Sequence, residues 1–198
     1  LIQVAAYPAR EPAPETAEID ADTLAACRAG DPEAMTAFVR RYERSVFAFL
    51  SRALGHGPHV EDLAQEVFLR ALRALARFDA AGSARASTWL LTIASRLVID
   101  ERRKRRVPTE PLDEGLAAQT TTTPETEQRR GEVGRALSRA AGELPDDQRD
   151  VFLLTEFHGL DASDIASMLS IPKATVKTRL FRAREHLRVL LKGILEET

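Results

Sequence analysis

The chain has 198 residues, 44% of them hydrophobic and 29% charged, with a net charge of −2. That length supplies one or two small domains with real cores, and the near-neutral balance excludes a protein that coats nucleic acid indiscriminately. Cys27 is the only cysteine, which excludes an internal disulfide and a thiolate metal cluster and leaves a small core residue or a reactive sensor thiol.

Residues 1–20 contain Pro8, Pro12 and Pro14 among several acids, and lack the basic and apolar blocks of a signal peptide. They read as a flexible tail. No run approaches the roughly eighteen apolar residues of a membrane span, so no membrane insertion is expected and the expected location is the cytoplasm. From Leu24 to Arg106 the periodicity is helical. Asp31-Pro32-Glu33 opens one helix, on which Met35, Phe38, Val39, Tyr42, Val46, Phe47 and Leu50 recur at core spacing until Gly55-His-Gly-Pro58 ends it.

The next helix is predicted from about Val60 to Phe78 and carries two stripes. Val60, Leu63, Ala64, Val67 and Ala71 form a core face, while Asp62, Gln65, Glu66 and Leu69 form an acidic, amide-bearing face suited to a partner helix or simply to solvent. Ala80 to Ser83 mark a loop. A further helix is predicted from Thr88 to Arg106. Trp89, Leu90, Ile93, Leu97 and Val98 supply its apolar side, and it ends in the five cations Arg102 to Arg106. A helix C-terminus favours some basic residues through its dipole, but five in a row fit an electrostatic seat for a nucleic-acid backbone better. Trp89, the only tryptophan, either anchors the core or stacks on an unpaired base.

Residues 107–129, with Pro108, Pro111, Pro124 and the threonines Thr120 to Thr123, have no apolar period and read as a linker. Helical periodicity then resumes to the C-terminus. Leu144-Pro145 marks a helix start, and Asp161 opens a short helix bearing Ile165, Ala166 and Leu169 on one side. Ser170-Ile171-Pro172 breaks that helix, and a long basic one begins at Lys173. The spacing is that of a helix-turn-helix. Val176, Leu180, Ala183 and Leu187 form the buried stripe, and Lys177, Thr178, Phe181 and Arg182 lie opposite, with side chains suited to phosphates and base edges. Lys173 to Lys192 hold seven Lys or Arg against one Glu, a one-sided charge that a merely solvated face does not need. The fold class is therefore all-α, in two small helical domains joined by a flexible linker.

Catalytic constellations are poor. His56, His59 and Glu61 form at most a weak metal corner, there is no phosphate loop or nucleophile elbow, and neither an enzyme nor a cofactor is expected.

Three blocks carry a resemblance. They are Asp62-Leu-Ala-Gln-Glu-Val-Phe68, then Ser87-Thr-Trp-Leu-Leu-Thr-Ile-Ala94 running to Asp100 and the basic block, then Leu144-Pro-Asp-Asp-Gln-Arg-Asp-Val-Phe152 followed by Thr175 to Arg184. Together they resemble the extracytoplasmic-function (group IV) sigma factors of the sigma-70 family, the dissociable subunits that give bacterial RNA polymerase its promoter specificity. The resemblance implies a region 2 domain at 21–106 and a region 4 domain at 130–198. It implies that Asp62, Gln65, Glu66 and Phe68 meet the clamp coiled coil of the polymerase β′ subunit, with a further contact to the β flap. Trp89, Arg96, Asp100, Arg103 and Arg106, with the loop before them, are implied in engaging the minus-ten element. Lys173, Thr175, Lys177, Thr178, Phe181 and Arg182 are implied in reading the minus-thirty-five element. Partners implied are core polymerase, promoter DNA and an anti-sigma factor, with the free chain a monomer.

Departures limit the transfer. Arg96 stands where Asn is frequent, Ala86 replaces a frequent aromatic, and Ala174 and Ser170 replace usual glycines, so base preference does not carry over. Two other classes remain open at this point: a helix-turn-helix repressor or activator acting without polymerase, and a metal-dependent enzyme using His56 and His59.

Overall fold

The computed structural model describes residues 18–78, 85–106, 137 and 139–196; the linker at 107–129 and residues 1–17 of the tail expected at 1–20 lie outside the described residues, while Glu18, Ile19 and Asp20 of that tail are held by hydrogen bonds to the helices. Within them the chain is helical, with no strand. The helices are α1 (Ala21–Ala29), α2 (Pro32–Leu54), α3 (Pro58–Ala74) followed by a 3-10 turn (Leu75–Arg77), α4 (Ala86–Arg106), α5 (Asp146–Glu156), α6 (Ala162–Leu169) and α7 (Lys173–Glu196).

Local chemistry sets the boundaries. Asp31 accepts from the Glu33 and Ala34 N–H groups at 2.8 and 2.9 Å, with Pro32 as the first helical residue, so α2 starts where its free donors are satisfied. Asp161 does the same for α6, accepting from Ser163 and Asp164 at 2.6 and 2.9 Å, and these backbone bonds hold its carboxyl below the usual range. α6 ends at Ser170, whose N–H donates to Ala166 and Ser167 carbonyls while the Ile171 N–H reaches Ala166 at 3.1 Å. Ser170 has φ +54°, a left-handed conformation that among the described residues only it adopts without being glycine. The glycine missing from that turn is thus missing where backbone sterics would use one.

Helices α1 to α4 bury Phe38, Phe49, Leu50, Val60, Val67 and Leu90, and α5 to α7 with the segment just before them bury Leu144, Leu153, Leu154, Ile165, Val176 and Ala183, the two sets joining in one apolar cluster. Two details differ from the sequence expectation. Phe47 is 40% exposed and Phe49 takes its place inside, because the inner stripe runs 38, 42, 46, 49, 53 and Phe47 lies about 100° beyond Val46. In α6 Met168 is fully buried and Ala166 and Leu169 only half, because that helix turns toward α4, where the Ser95 hydroxyl meets the Met168 sulfur at 3.3 Å.

The two halves expected as separate units are packed together. Arg102 of α4 donates to Asp150 of α5 at 2.7 Å and to the Ala53 carbonyl at the end of α2 at 2.8 Å. Arg149 reaches the same carbonyl at 3.0 Å, and the Leu144 carbonyl at 2.8 Å. Desolvation raises the Asp150 carboxyl, opposed by the Arg102 charge, and burial followed by the Arg102 charge lowers Arg149. Nearby, the His158 ring sits edge-on to Phe49, its Nδ1 is 3.4 Å from the Ser45 hydroxyl, and Arg52 lies over Phe157. Burial, with the Arg52 charge second, pushes the His158 imidazole down to about 4.

Two outcomes follow from these geometries. Ser170→Gly should stabilise the fold by about 0.5 kcal/mol, since relief of left-handed strain exceeds the added freedom of the unfolded chain; urea unfolding measures it. His158 has a folded pKa below its unfolded one, so its neutral form costs nothing above about pH 6.5, and the fold loses stability as pH falls from there toward 4. Asp150 titrates in the opposite sense, so the readout is a difference: His158→Asn should flatten the pH dependence of thermal unfolding between pH 6.5 and 4 relative to the native chain. Superimposable profiles would contradict this.

Candidate nucleic-acid interface

The long basic helix has two chemically different sides. Toward α5 two arginines are paired with acids, Arg179 with Asp147 at 3.0 Å and Arg184 with Glu156 at 2.6 Å, and the His186 Nδ1 lies 3.0 Å from the Gln148 side-chain oxygen. Toward solvent, Lys177 and Arg182 are exposed and take no intramolecular partner among the described residues, and between them the Phe181 ring is 65% exposed. Val176, Ala183 and Leu187 anchor the helix from beneath, with Leu180 half-buried, as the periodicity requires. An exposed apolar ring flanked by two unpaired cations is costly to display in water and well matched to a base edge between phosphates.

The other expected members of this face are partly engaged. Lys173 donates to the Ser163 hydroxyl at 2.5 Å, tying the start of α7 to α6, and Thr175 is half-buried with its N–H bonded to the Pro172 carbonyl at 2.9 Å. The Thr178 hydroxyl donates to the Ala174 carbonyl at 3.0 Å, leaving its oxygen to accept.

On α4, Trp89, Arg96, Asp100 and Arg103 share one stripe at i, i+7, i+11 and i+14, and the last three are exposed. Trp89 is half-buried, its ring tilted 30° against Phe78 with centroids 4.7 Å apart, so it packs on the fold while part of its surface stays accessible. Arg106 is the last residue of α4. The five-cation run is not a single seat: Arg102 turns to the opposite side and into the contact with α5, and Glu101 lies 3.4 Å from Arg105 and 3.7 Å from Lys104. The signal for this split was present in the sequence, because Arg102 falls on the buried side of α4 with Leu91, Ser95 and Val98.

On α3, Asp62 and Gln65 are exposed, Leu69 is 48% exposed, and Glu66 is half-buried in an ion pair with Arg70 at 2.6 Å. Phe68 requires a correction. It is 8% exposed and belongs to the core beside Val67, so its ring supports the stripe from behind and is not available as a contact; Leu69 supplies the apolar surface instead. Cys27 is likewise buried, in a role of small core residue, with burial pushing its thiol up. Among the described residues no three His, Cys, Asp or Glu side chains are grouped to hold a metal ion, and no helix is long and apolar enough to cross a membrane.

Comparison with known proteins agrees with this layout. The sequence profile for sigma-70 region 2 matches residues 38–107 and that for sigma-70 region 4 matches residues 134–187. The chain is 31% identical to the RNA polymerase sigma-H factor of Pseudomonas aeruginosa over 192 residues, which are 92% of this chain and 98% of that one. It is 34% identical to the ECF RNA polymerase sigma factor SigW of Bacillus subtilis over 176 residues, 83% of this chain and 92% of that relative. Its fold matches that of the sigma factor RpoE of Bartonella quintana, solved with the anti-sigma factor NepR, at a TM-score of 0.66 and 22% identity, covering 79% of this chain and 96% of that one. A helix-turn-helix face on α7, an acidic stripe on α3, and two profile matches in the same order establish that the chain belongs to the extracytoplasmic-function group of the sigma-70 family of RNA polymerase sigma factors.

Proposed function

We propose that the chain binds core RNA polymerase in the cytoplasm and directs it to promoters, with the exposed Lys177, Phe181 and Arg182 face of α7 reading the minus-thirty-five element in the major groove. The observation that carries this reading is the asymmetry of α7: Asp147 and Glu156 of α5 pair with Arg179 and Arg184 on one side, while Lys177 and Arg182 beside the exposed Phe181 ring take no such partner among the described residues and remain for phosphates and base edges. Lys173, Thr175 and Thr178 complete the face by fixing its register. The stripe of Trp89, Arg96, Asp100 and Arg103, continued by Arg106, takes the displaced strand of the minus-ten element; the part of that role expected of the loop before α4 falls on residues 79–84, outside the described residues. Asp62, Gln65, Glu66 and Leu69 of α3 meet the clamp coiled coil of β′, and the C-terminal half meets the β flap.

No step in this function breaks a bond in a substrate, so the protein contributes binding and strand separation and the polymerase contributes the chemistry. Reading two separated elements requires the halves to part, which exchanges the contacts of Arg102 and Arg149 for contacts with polymerase and DNA. An anti-sigma factor that stabilises the packed arrangement silences the protein; the Bartonella quintana protein of similar fold was solved in complex with an anti-sigma factor. A free-standing repressor gives no reason for the region 2 match, and the reading as a polymerase subunit does.

The decisive experiment is transcription in vitro with added core polymerase on a promoter library, which selects the sequences used. On a promoter so recovered, Lys177→Ala with Arg182→Ala should lower initiation tenfold or more, at about 1–3 kcal/mol per lost base contact, with polymerase association unchanged. Unaltered initiation would remove α7 as the reader. Asp62→Lys with Glu66→Lys should weaken co-purification with core polymerase while the far-ultraviolet circular dichroism stays helical. A cation introduced one turn before Arg70 costs only about 0.2–0.5 kcal/mol of helix stability. Persistent co-purification would show that α3 is not the docking stripe.

A further inference from the structure

The start of α4, which carries Trp89, is held by residues far away in the sequence. Glu18, two residues before the cap of α1, places one carboxylate oxygen 2.8 Å from the Tyr42 hydroxyl and 3.3 Å from the Ser87 N–H, and its other oxygen accepts from the Ser87 hydroxyl. Ser87 is the second residue of α4, so its N–H is one that the helix itself leaves without a partner. A carboxylate there satisfies that donor and meets the positive end of the helix dipole. The carboxylate is itself fixed. Tyr42 is buried, and its oxygen accepts from the Ile19 N–H at 3.1 Å, which ties the backbone beside Glu18 to α2.

The same N-terminal element also holds the chain before position 79. The Arg28 guanidinium, in the last turn of α1, donates to the Phe78 carbonyl, and the Phe78 ring lies against Trp89. Phe78 and Ser87 are thus each held by one charged side chain from residues 18–28, and Trp89 sits beside both.

We propose that Glu18 and Arg28 are positioning residues for promoter opening: they clamp Phe78 and the first turn of α4, and so present Trp89 and the stripe below it in a fixed orientation to the strand being displaced. The proposal rests on the reading of α4 as the minus-ten surface. An entrance ordered in advance removes an ordering cost that would otherwise fall at the moment of strand separation. Neither residue touches DNA itself, and neither belongs to the buried apolar core.

The test compares one recovered promoter as full duplex with the same promoter carrying mismatches that premelt the minus-ten element. Glu18→Ala should lower initiation on the duplex about fivefold, the factor a lost helix cap carries, with little or no loss on the premelted template and unchanged polymerase association. Glu18→Gln, which keeps an acceptor for Ser87 but not the charge, should fall between, and Arg28→Ala should behave like Glu18→Ala. Because Trp89 is the only tryptophan, its fluorescence reports the clamp directly: emission should shift and acrylamide quenching should rise in Glu18→Ala while circular dichroism is unchanged. Equal losses on both templates, or native Trp89 emission with native duplex activity, would overturn the proposal while leaving the functional reading intact. If the unmodified protein initiates on neither template, the functional reading itself fails, and the proposal with it.

Discussion

The arrangement of the whole molecule depends on finding partners for one guanidinium. Arg102 lies on the inner side of α4, where a charge can be tolerated only if paired and hydrogen-bonded, and the fold supplies Asp150 from α5 and the Ala53 carbonyl from the last turn of α2. That carbonyl is one of the acceptors that α2 leaves unsatisfied at its C-terminus, at the negative end of its dipole, and Arg149 shares it. Three helices therefore meet at one oxygen atom. Such a junction adds little stability over an apolar contact of the same size, but losing one member strands a buried charge, at about 3–5 kcal/mol. The contact thus selects one packing of the two halves more than it strengthens either.

The side of α4 that Arg102 takes could be read from the periodicity, but its partners at this junction were hidden in the sequence, whereas most of the fold was not. Asp31-Pro32, Asp161, Gly55 and Ser170-Ile171-Pro172 are local signals whose chemistry is complete within a few residues, and the helices begin and end there. Which face of α7 is exposed was equally legible, because one periodic stripe of Val176, Ala183 and Leu187 fixes what must lie opposite. The errors came from residues whose environment another element decides. Phe47 and Phe68 are both aromatic and both near a core stripe, yet one faces outward and the other inward, a difference of one helical step. Glu18 was invisible for the same reason: its partners Tyr42 and Ser87 lie 24 and 69 residues away, and nothing adjacent to it announces a role.

The two surfaces proposed for DNA differ in their physics. On α7 the register is fixed at both the turn and the core, which suits side chains that meet base edges in a preformed groove. On α4 the exposed stripe mixes cations with Asp100 around a half-buried indole, which suits a single strand whose bases are tolerated in many orientations. The acidic stripe of α3 faces neither task and is available for protein.

The neutralisation of α7 along its α5 side has a thermodynamic corollary. Each phosphate met by a cation releases condensed counterions, so affinity falls with salt in proportion to the number of cations committed. On the reading of α7 proposed above, Asp147 and Glu156 withdraw Arg179 and Arg184 from that count, while Lys173, Lys177 and Arg182 stay in it. That reading gives α7 a shallower dependence on ionic strength than its seven Lys and Arg side chains alone would set.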